Sequence, residues 1–191
     1  LDEAINQKLA IFKLYNPYME SDHVLNIAYN ILCNGRTLED IERLRNDEVY
    51  LDALGAPRIP DPTTAGDFCR RFSAEQVEIL QDIINAVRLK VWAEQKPDFF
   101  AEAQIDADGT IAETFGECKD GMDMSYKGVW GYHPLVVSLA NTAEPLFLAN
   151  RSGNSTSSKD AAGYLDRAIE LCRRGGFQRI RLRGDTDFSQ T

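Results

Sequence analysis

No apolar run in this sequence approaches the roughly 18 residues that a membrane span requires, so no stretch reads as a transmembrane segment. The four cysteines, Cys33, Cys69, Cys118 and Cys172, are scattered without a CxxC pair. That spacing indicates neither a zinc site nor a disulfide framework and points to reduced thiols. Leu1-Asp2-Glu3 is not a basic segment leading into a hydrophobic one, so the expectation is a cytoplasmic protein. Internal repeats and low-complexity tracts are missing as well. An excess of positive charge is lacking too: the net charge is -9, which argues against a general nucleic-acid coat, because neutralising phosphates takes clustered Lys and Arg. Yet Arg167, Arg173, Arg174, Arg179, Arg181 and Arg183 crowd towards one end. A local basic surface is compatible with an acidic total.

What is present is ordinary for a globular chain of one or two domains: 191 residues, 43% hydrophobic and 27% charged. The pattern changes once along its length. Residues 1–97 read as helix, and residues 98–191 read mainly as strands. In the first part, Ile5, Leu9, Phe12 and Leu14 suggest an amphipathic segment broken at Asn16-Pro17. Ser21-Asp22 offers an N-cap for a helix over Val24, Leu25, Ile27, Ala28, Ile31 and Leu32 that stops at Asn34-Gly35. Thr37 and Asp47 can each cap a further short helix, the second ending at Gly55. Thr63 or Thr64 begins another, and Ser73 with Gln76 matches a capping box for a long helix through Ile83 to Trp92. Several short helices with tight turns are compatible with a helix-turn-helix or with a packing or dimerisation module.

From Phe99 the period becomes two. In Ala103-Gln104-Ile105-Asp106-Ala107-Asp108-Gly109-Thr110 the alternation puts Ala103, Ile105 and Ala107 on one face and Gln104, Asp106 and Asp108 on the other. A strand interior is a poor place for Asp. Two of them, followed at once by a glycine that permits a sharp turn, suggest a site for a divalent cation or a phosphoryl group; an exposed edge strand ending in an Asp-Gly turn is the bland alternative. Residues 111–132 look like a long excursion. His133–Ala140 and Pro145–Asn150 read as a strand pair around a four-residue turn. The polar loop 151–158 feeds a helix with Ala161, Ala162, Leu165, Ala168, Ile169 and Leu171 inward, closed by Gly175-Gly176. A last alternating run, 179–183, delivers Asp185 and Asp187. The fold class is therefore α/β (α+β), with strand-strand-strand-helix-strand after the helical region.

If the first three strands form an antiparallel meander, the helix returns the chain to a fourth strand beside the first and parallel to it. Asp108 and Asp185 then leave neighbouring strands at the same end. Strands about 4.8 Å apart let their carboxylates share cations, and hard oxygen ligands select Mg²⁺ or Mn²⁺. Two such ions would activate a water or a 3′-hydroxyl and stabilise the leaving oxygen of a phosphodiester. Asp106 and Asp187 rank below as supporting or alternative ligands, with turn capping as the other role open to Asp185 and Asp187. Lys119, Lys127 and Arg151 lie in loops that could bring them to DNA phosphates or leave them as solvated charges. His133 reads as structural, and Trp130 and Tyr132 as core residues that could otherwise stack on a distorted base.

The sequence resembles the bacterial insertion-sequence transposases of the DDE group 1 domain, within the ribonuclease-H-like superfamily. The residues that carry the resemblance are 106–110 (DADGT), 116–123 (GECKDGMD), 125–134 (SYKGVWGYHP), 151–154 (RSGN) and 183–188 (RGDTDF), with 21–26 (SDHVLN) and 61–68 (DPTTAGDF) in the helical part. It implies a helical region, 1–97, for DNA binding or dimerisation and a partial ribonuclease-H-like core over 98–191. It also implies transposition of an insertion sequence: Mg²⁺- or Mn²⁺-dependent cleavage at terminal inverted repeats, then strand transfer into target DNA, in a homodimer on the DNA. By position, Asp108 is the first catalytic carboxylate and Asp185 the second. The family's third, a Glu on a later helix, has no counterpart in the sequence, so the resemblance suggests an N-terminal fragment inactive by itself. Two alternatives stand beside it. DADGT also matches the DxDGT motif of haloacid-dehalogenase-like phosphatases, where Asp106 would be the nucleophile and Asp108 the acid/base. The helical region could also be a non-catalytic DNA-binding or dimerising module.

Overall fold

The computed structural model describes residues 1–12, 17–116 and 119–185. They fall into two compact units, Leu1–Val87 and Arg88–Thr191. The pattern of the sequence places its boundary at 97/98; the units meet earlier, inside the long helix, because Arg88 and Trp92 pack with the strand unit. The Arg88 Nε donates to Glu144 at 2.9 Å, and Trp92 is buried in that unit's core.

The first unit contains α1 (Asp2–Lys8), α2 (Glu20–Leu32), α3 (Ile41–Leu44), α4 (Glu48–Leu54), α5 (Pro62–Cys69) and the start of α6 (Ala74–Ala93). Local chemistry sets several boundaries. The Asp47 carboxylate accepts from Tyr50 N at the start of α4, and Gly55 ends that helix with a left-handed φ of 63°. Ser73 and Gln76 exchange the expected reciprocal bonds at the start of α6. Helix α5 starts one residue before the expected cap: Asp61 caps it, and Pro62 takes the first turn, where its missing N–H costs nothing. In α2 the cap residue is Met19, whose N–H is accepted by Asp22 at 2.8 Å.

The buried face of α2 departs from the expected apolar stripe. Its buried residues are Glu20, Ser21, His23, Asn26 and Asn30, while Ile31 and Leu32 are 64% and 78% exposed. The reason is that this face satisfies irregular backbone. Glu20 accepts the Ile11 and Phe12 N–H groups, Asn26 donates to Pro60 O and Asn30 donates to Thr37 O. Unpaired buried N–H and C=O groups are costly, and these side chains remove that cost. Ile5, Leu9, Ile11, Phe68 and Ile83 form the unit's main apolar cluster.

In the second unit the strands are β1 (Ala103–Gly109), β2 (Ala112–Glu113), β3 (Asp123–Met124), β4 (Trp130–Tyr132), β5 (Leu135–Leu139), β6 (Glu144–Ala149) and β7 (Ile180–Gly184), with α7 (Ala161–Arg174) before β7. The main sheet has the order β6-β5-β1-β7. Strand β1 is antiparallel to β5, β5 to β6, and β1 is parallel to β7. This is the expected meander with a helical return, and β1 is central, not an edge. The excursion 111–132 holds a small second sheet, β2-β4-β3, that the sequence pattern did not reveal, since its strands are two or three residues long.

Alternation explains the core. Ala103, Ile105 and Ala107 of β1 and Leu135, Val137 and Leu139 of β5 are buried, and α7 covers them with Ala161, Ala168, Leu171 and Cys172. Each large aliphatic so buried is worth about 1.5–3 kcal/mol. Ala162, expected inward, is exposed. Trp130, expected in the core, is 49% exposed, because it lies on the small sheet outside the cover of α7.

Candidate active site

Because α7 covers one face of the sheet, the two faces of β1 have different fates. Ala103, Ile105 and Ala107 feed the core, which turns Gln104, Asp106 and Asp108 to the opposite face. The β1–β7 ladder pairs Asp106 with Arg183 and ends at Ala107 with Gly184, a constant offset of 184 - 107 = 77 residues. Asp108 and Asp185 differ by the same 77, so the register, continued one step past its last pair, brings them opposite each other. Both residues are exposed. Two carboxylates thus leave adjacent parallel strands at one end of the sheet, on the face opposite the core.

Asp106 is engaged differently. Arg183 Nε and Nη2 donate to its two carboxylate oxygens at 2.7 and 2.6 Å. This paired hydrogen bond, and the guanidinium charge behind it, hold the Asp106 carboxyl below the usual carboxylate range and raise the Arg183 pKa. Asp106 therefore serves as a tie between β1 and β7, and its ranking below Asp108 as a ligand has a structural reason. The pairing also removes a third negative charge from beside Asp108 and Asp185. Arg179 and Arg181 both reach Glu102, at 3.6 and 3.5 Å, and Arg167 lies over the Phe147 and Tyr164 rings. Of the arginine cluster, Arg183 is neutralised by Asp106, whereas Arg179 and Arg181 share the one Glu102 carboxylate and stay exposed. Asp187 lies outside the described residues.

Gly109 closes β1. It stays in the ladder, opposite Leu135, and does not make the sharp turn expected of it. What requires a glycine is space: a β-carbon there would sit 2.5 Å from His133 Nε2 and 3.3 Å from Arg151 Nη2. His133 is buried, and its Nδ1 donates to Ser155 O at 2.7 Å. Arg151 is 6% exposed. Its Nε donates to His133 O, and its Nη1 donates to Ser157 O and Lys159 O. The side chain expected to reach out to DNA instead threads the loop after β6 and fixes its path, with only Nη2 left over. Lys119 bonds to Thr114 Oγ1, and Lys127 Nζ lies 5.4 Å from the Tyr126 ring centre. Neither sits in the β1–β7 ladder that carries the aspartates.

The matching family model, transposase DDE domain group 1, covers residues 15–191. The chain belongs to this family. No curated protein and no solved structure matches it. A DDE transposase domain acts in DNA transposition and recombination, generally with a divalent metal, and that coarse function applies to this chain. None of the helices among the described residues is long and apolar enough to cross a membrane.

The residues present fit such a metal in part. Asp108 and Asp185 supply hard, exposed oxygen donors from one register position, the chemistry Mg²⁺ and Mn²⁺ prefer. Among the described residues, no group of three His, Cys, Asp or Glu side chains is placed to hold a metal ion. The sequence signal for Arg183 was available but silent: Arg181 and Arg183 alternate with Leu182, and only the strand register shows which of them meets Asp106.

Proposed function

We propose that this DDE transposase domain uses Asp108 and Asp185 as two of its catalytic carboxylates. The phosphodiester cleavage and strand transfer they support take place at the ends of an insertion sequence. The observation that carries the reading is the shared register position of the two aspartates at one end of the parallel β1–β7 pair. When bound there, Mg²⁺ or Mn²⁺ would supply charge neutralisation at the scissile phosphate and an activated water or 3′-hydroxyl. The protein's own contribution is positional. The buried alternation of β1 fixes where Asp108 points, and the β7 ladder fixes Asp185 beside it. The Asp106–Arg183 pair locks the register one step from the ladder's end, which in this reading orients the two carboxylates just beyond it. The third ligand in this reading is a Glu carried on a later helix, and the DNA complex holds a homodimer. Lys119 and Lys127 are proposed to meet DNA phosphates.

The antiparallel partner of β1 speaks against the phosphatase alternative. That fold needs repeated strand-helix units between its motifs, whereas here β5 and β6 follow as a hairpin.

Calorimetric titration of Mn²⁺ into the protein, and into Asp108→Asn and Asp185→Asn, tests the pairing. Binding lost in both variants is expected. Parent-like binding in both, or loss only in Asp106→Asn, would overturn it.

A further inference from the structure

A cavity of about 230 Å³ is lined by Tyr126, His133 and residues 154–158, Asn154 through Ser158, and His133 lies against Gly109, the residue after Asp108. Five consecutive lining residues carry a side-chain amide or hydroxyl. Two features, one of a lining residue and one of the Arg151 side chain that holds the loop from within, are unusual for a resting loop. The Ser155 hydroxyl is buried, in a residue 6% exposed, and has no hydrogen-bond partner. Behind the His133 ring, the Arg151 guanidinium is buried among neutral carbonyls with a free Nη2, and among the described residues it forms no ion pair with a carboxylate. Burial pushes its pKa down, against an opposing pull from Asp160. A buried cation without an anion, next to a buried hydroxyl without an acceptor, is costly unless a ligand supplies what both lack.

We propose that this cavity is a seat for one phosphodiester group of DNA, received by the Ser155 hydroxyl and the neighbouring polar loop next to His133, whose ring lies against Gly109, the residue after Asp108. An anion there faces the charge of Arg151, which has no ion-pair partner among the described residues, and Lys127, over the Tyr126 ring at the cavity wall, adds positive charge. Gly109 completes the arrangement, since any side chain at that position would push into His133 and Arg151. The acidic carboxylates of β1 repel DNA, so a phosphate seat beside them gives the strand a fixed point from which the scissile bond can be presented to Asp108. This inference rests on reading the chain as a DNA transposase, but it does not depend on the metal.

The chain contains two histidines, His23 and His133, so its imidazole carbon-bound proton signals are few and His133 is a built-in reporter. The experiment follows that signal, in metal-free buffer at constant ionic strength, during titration with oligothymidylate, with its uncharged methylphosphonate analogue and with inorganic phosphate. The expected result is a saturable shift with oligothymidylate, none with the methylphosphonate, and about tenfold weaker binding in Ser155→Ala, the effect of losing one hydrogen bond to a charged group. Ser155→Thr, which keeps the hydroxyl, should bind like the parent. Removing a hydroxyl that has no partner should leave the thermal midpoint of Ser155→Ala unchanged. The proposal is overturned by no shift with oligothymidylate, by an equal shift with the methylphosphonate, or by parent-like affinity in Ser155→Ala. A response to inorganic phosphate alone would overturn DNA as the source. Asp108→Asn should retain the shift, so failure of the metal reading and failure of this one are separable.

Discussion

Arg183 grips both carboxylate oxygens of Asp106 across the parallel β1–β7 ladder, at 2.7 and 2.6 Å. The contact joins two elements 77 residues apart (183 - 106), two register positions before the Asp108 and Asp185 pair. It decides which of the four acidic residues read from the sequence is spent on architecture.

Replacing Arg183 with Gln should therefore release Asp106. In the parent its folded pKa lies below the ordinary 3.8 because of the Arg183 hydrogen bond. A depressed carboxylate contributes stability that is present above its unfolded pKa and is lost as pH falls through the folded one. In Arg183→Gln, a carbon-detected titration should show the Asp106 midpoint moving up towards 3.8, and the acid arm of the stability curve should flatten. An unmoved midpoint would mean the pair is not formed in solution.

His23 sets a pH limit on the first unit. Its ring stacks on Phe68 at 4.5 Å and lies 5.3 Å from Phe12, with neither nitrogen hydrogen-bonded. Burial lowers its pKa from 6.5, Arg71 adds to that, and Asp22, Glu20 and Asp61 oppose it. Because the folded value is lowered, the unfolded chain binds the proton more readily. Stability is then full above 6.5 and drains as pH falls towards the folded value, by at most about 1.4 kcal/mol per pH unit. Urea denaturation across that range should show the slope in the parent and its loss in His23→Phe. An equal slope in the two proteins would assign the effect to other groups.

Gly109→Ala should cost about 1–3 kcal/mol of stability, the usual range for overpacking. The added methyl meets His133 Nε2 at 2.5 Å, and the ring cannot swing aside without breaking its bond to Ser155 O. Gly163→Ala is the control, since nothing lies within 4 Å of a β-carbon at that helical position; it should be neutral or slightly stabilising. Thermal denaturation of both variants checks the contrast, and equal midpoints would show that the loop yields.

The strands of the main sheet were legible because a period of two survives in a half-buried strand, as in β1 and β5; β7 shows the period in its residue types, although its Leu182 is 48% exposed. The small sheet was not, as two residues are too few to show a period. Helix α2 misled for a different reason: its apolar residues follow a helical stripe, but the surrounding backbone needed hydrogen bonds more than it needed apolar cover. Gly109 was noticed for the wrong property, its freedom to turn, whereas close approach of a histidine is what demands it.

By itself, the sequence determined the class of the fold, the order of the main-sheet strands and the face on which Asp106 and Asp108 lie, because side-chain alternation is a local property of the backbone. Residue identities also sufficed to suggest the transposase family. Tertiary structure alone decided that Asp108 shares a register position with Asp185, that Asp106 belongs to Arg183, and that Arg151 is buried with His133 and Ser155 beside Gly109. Those facts depend on which strands pair and in what register, and the free energy that fixes register is collected from the whole buried face rather than from the residues at the site.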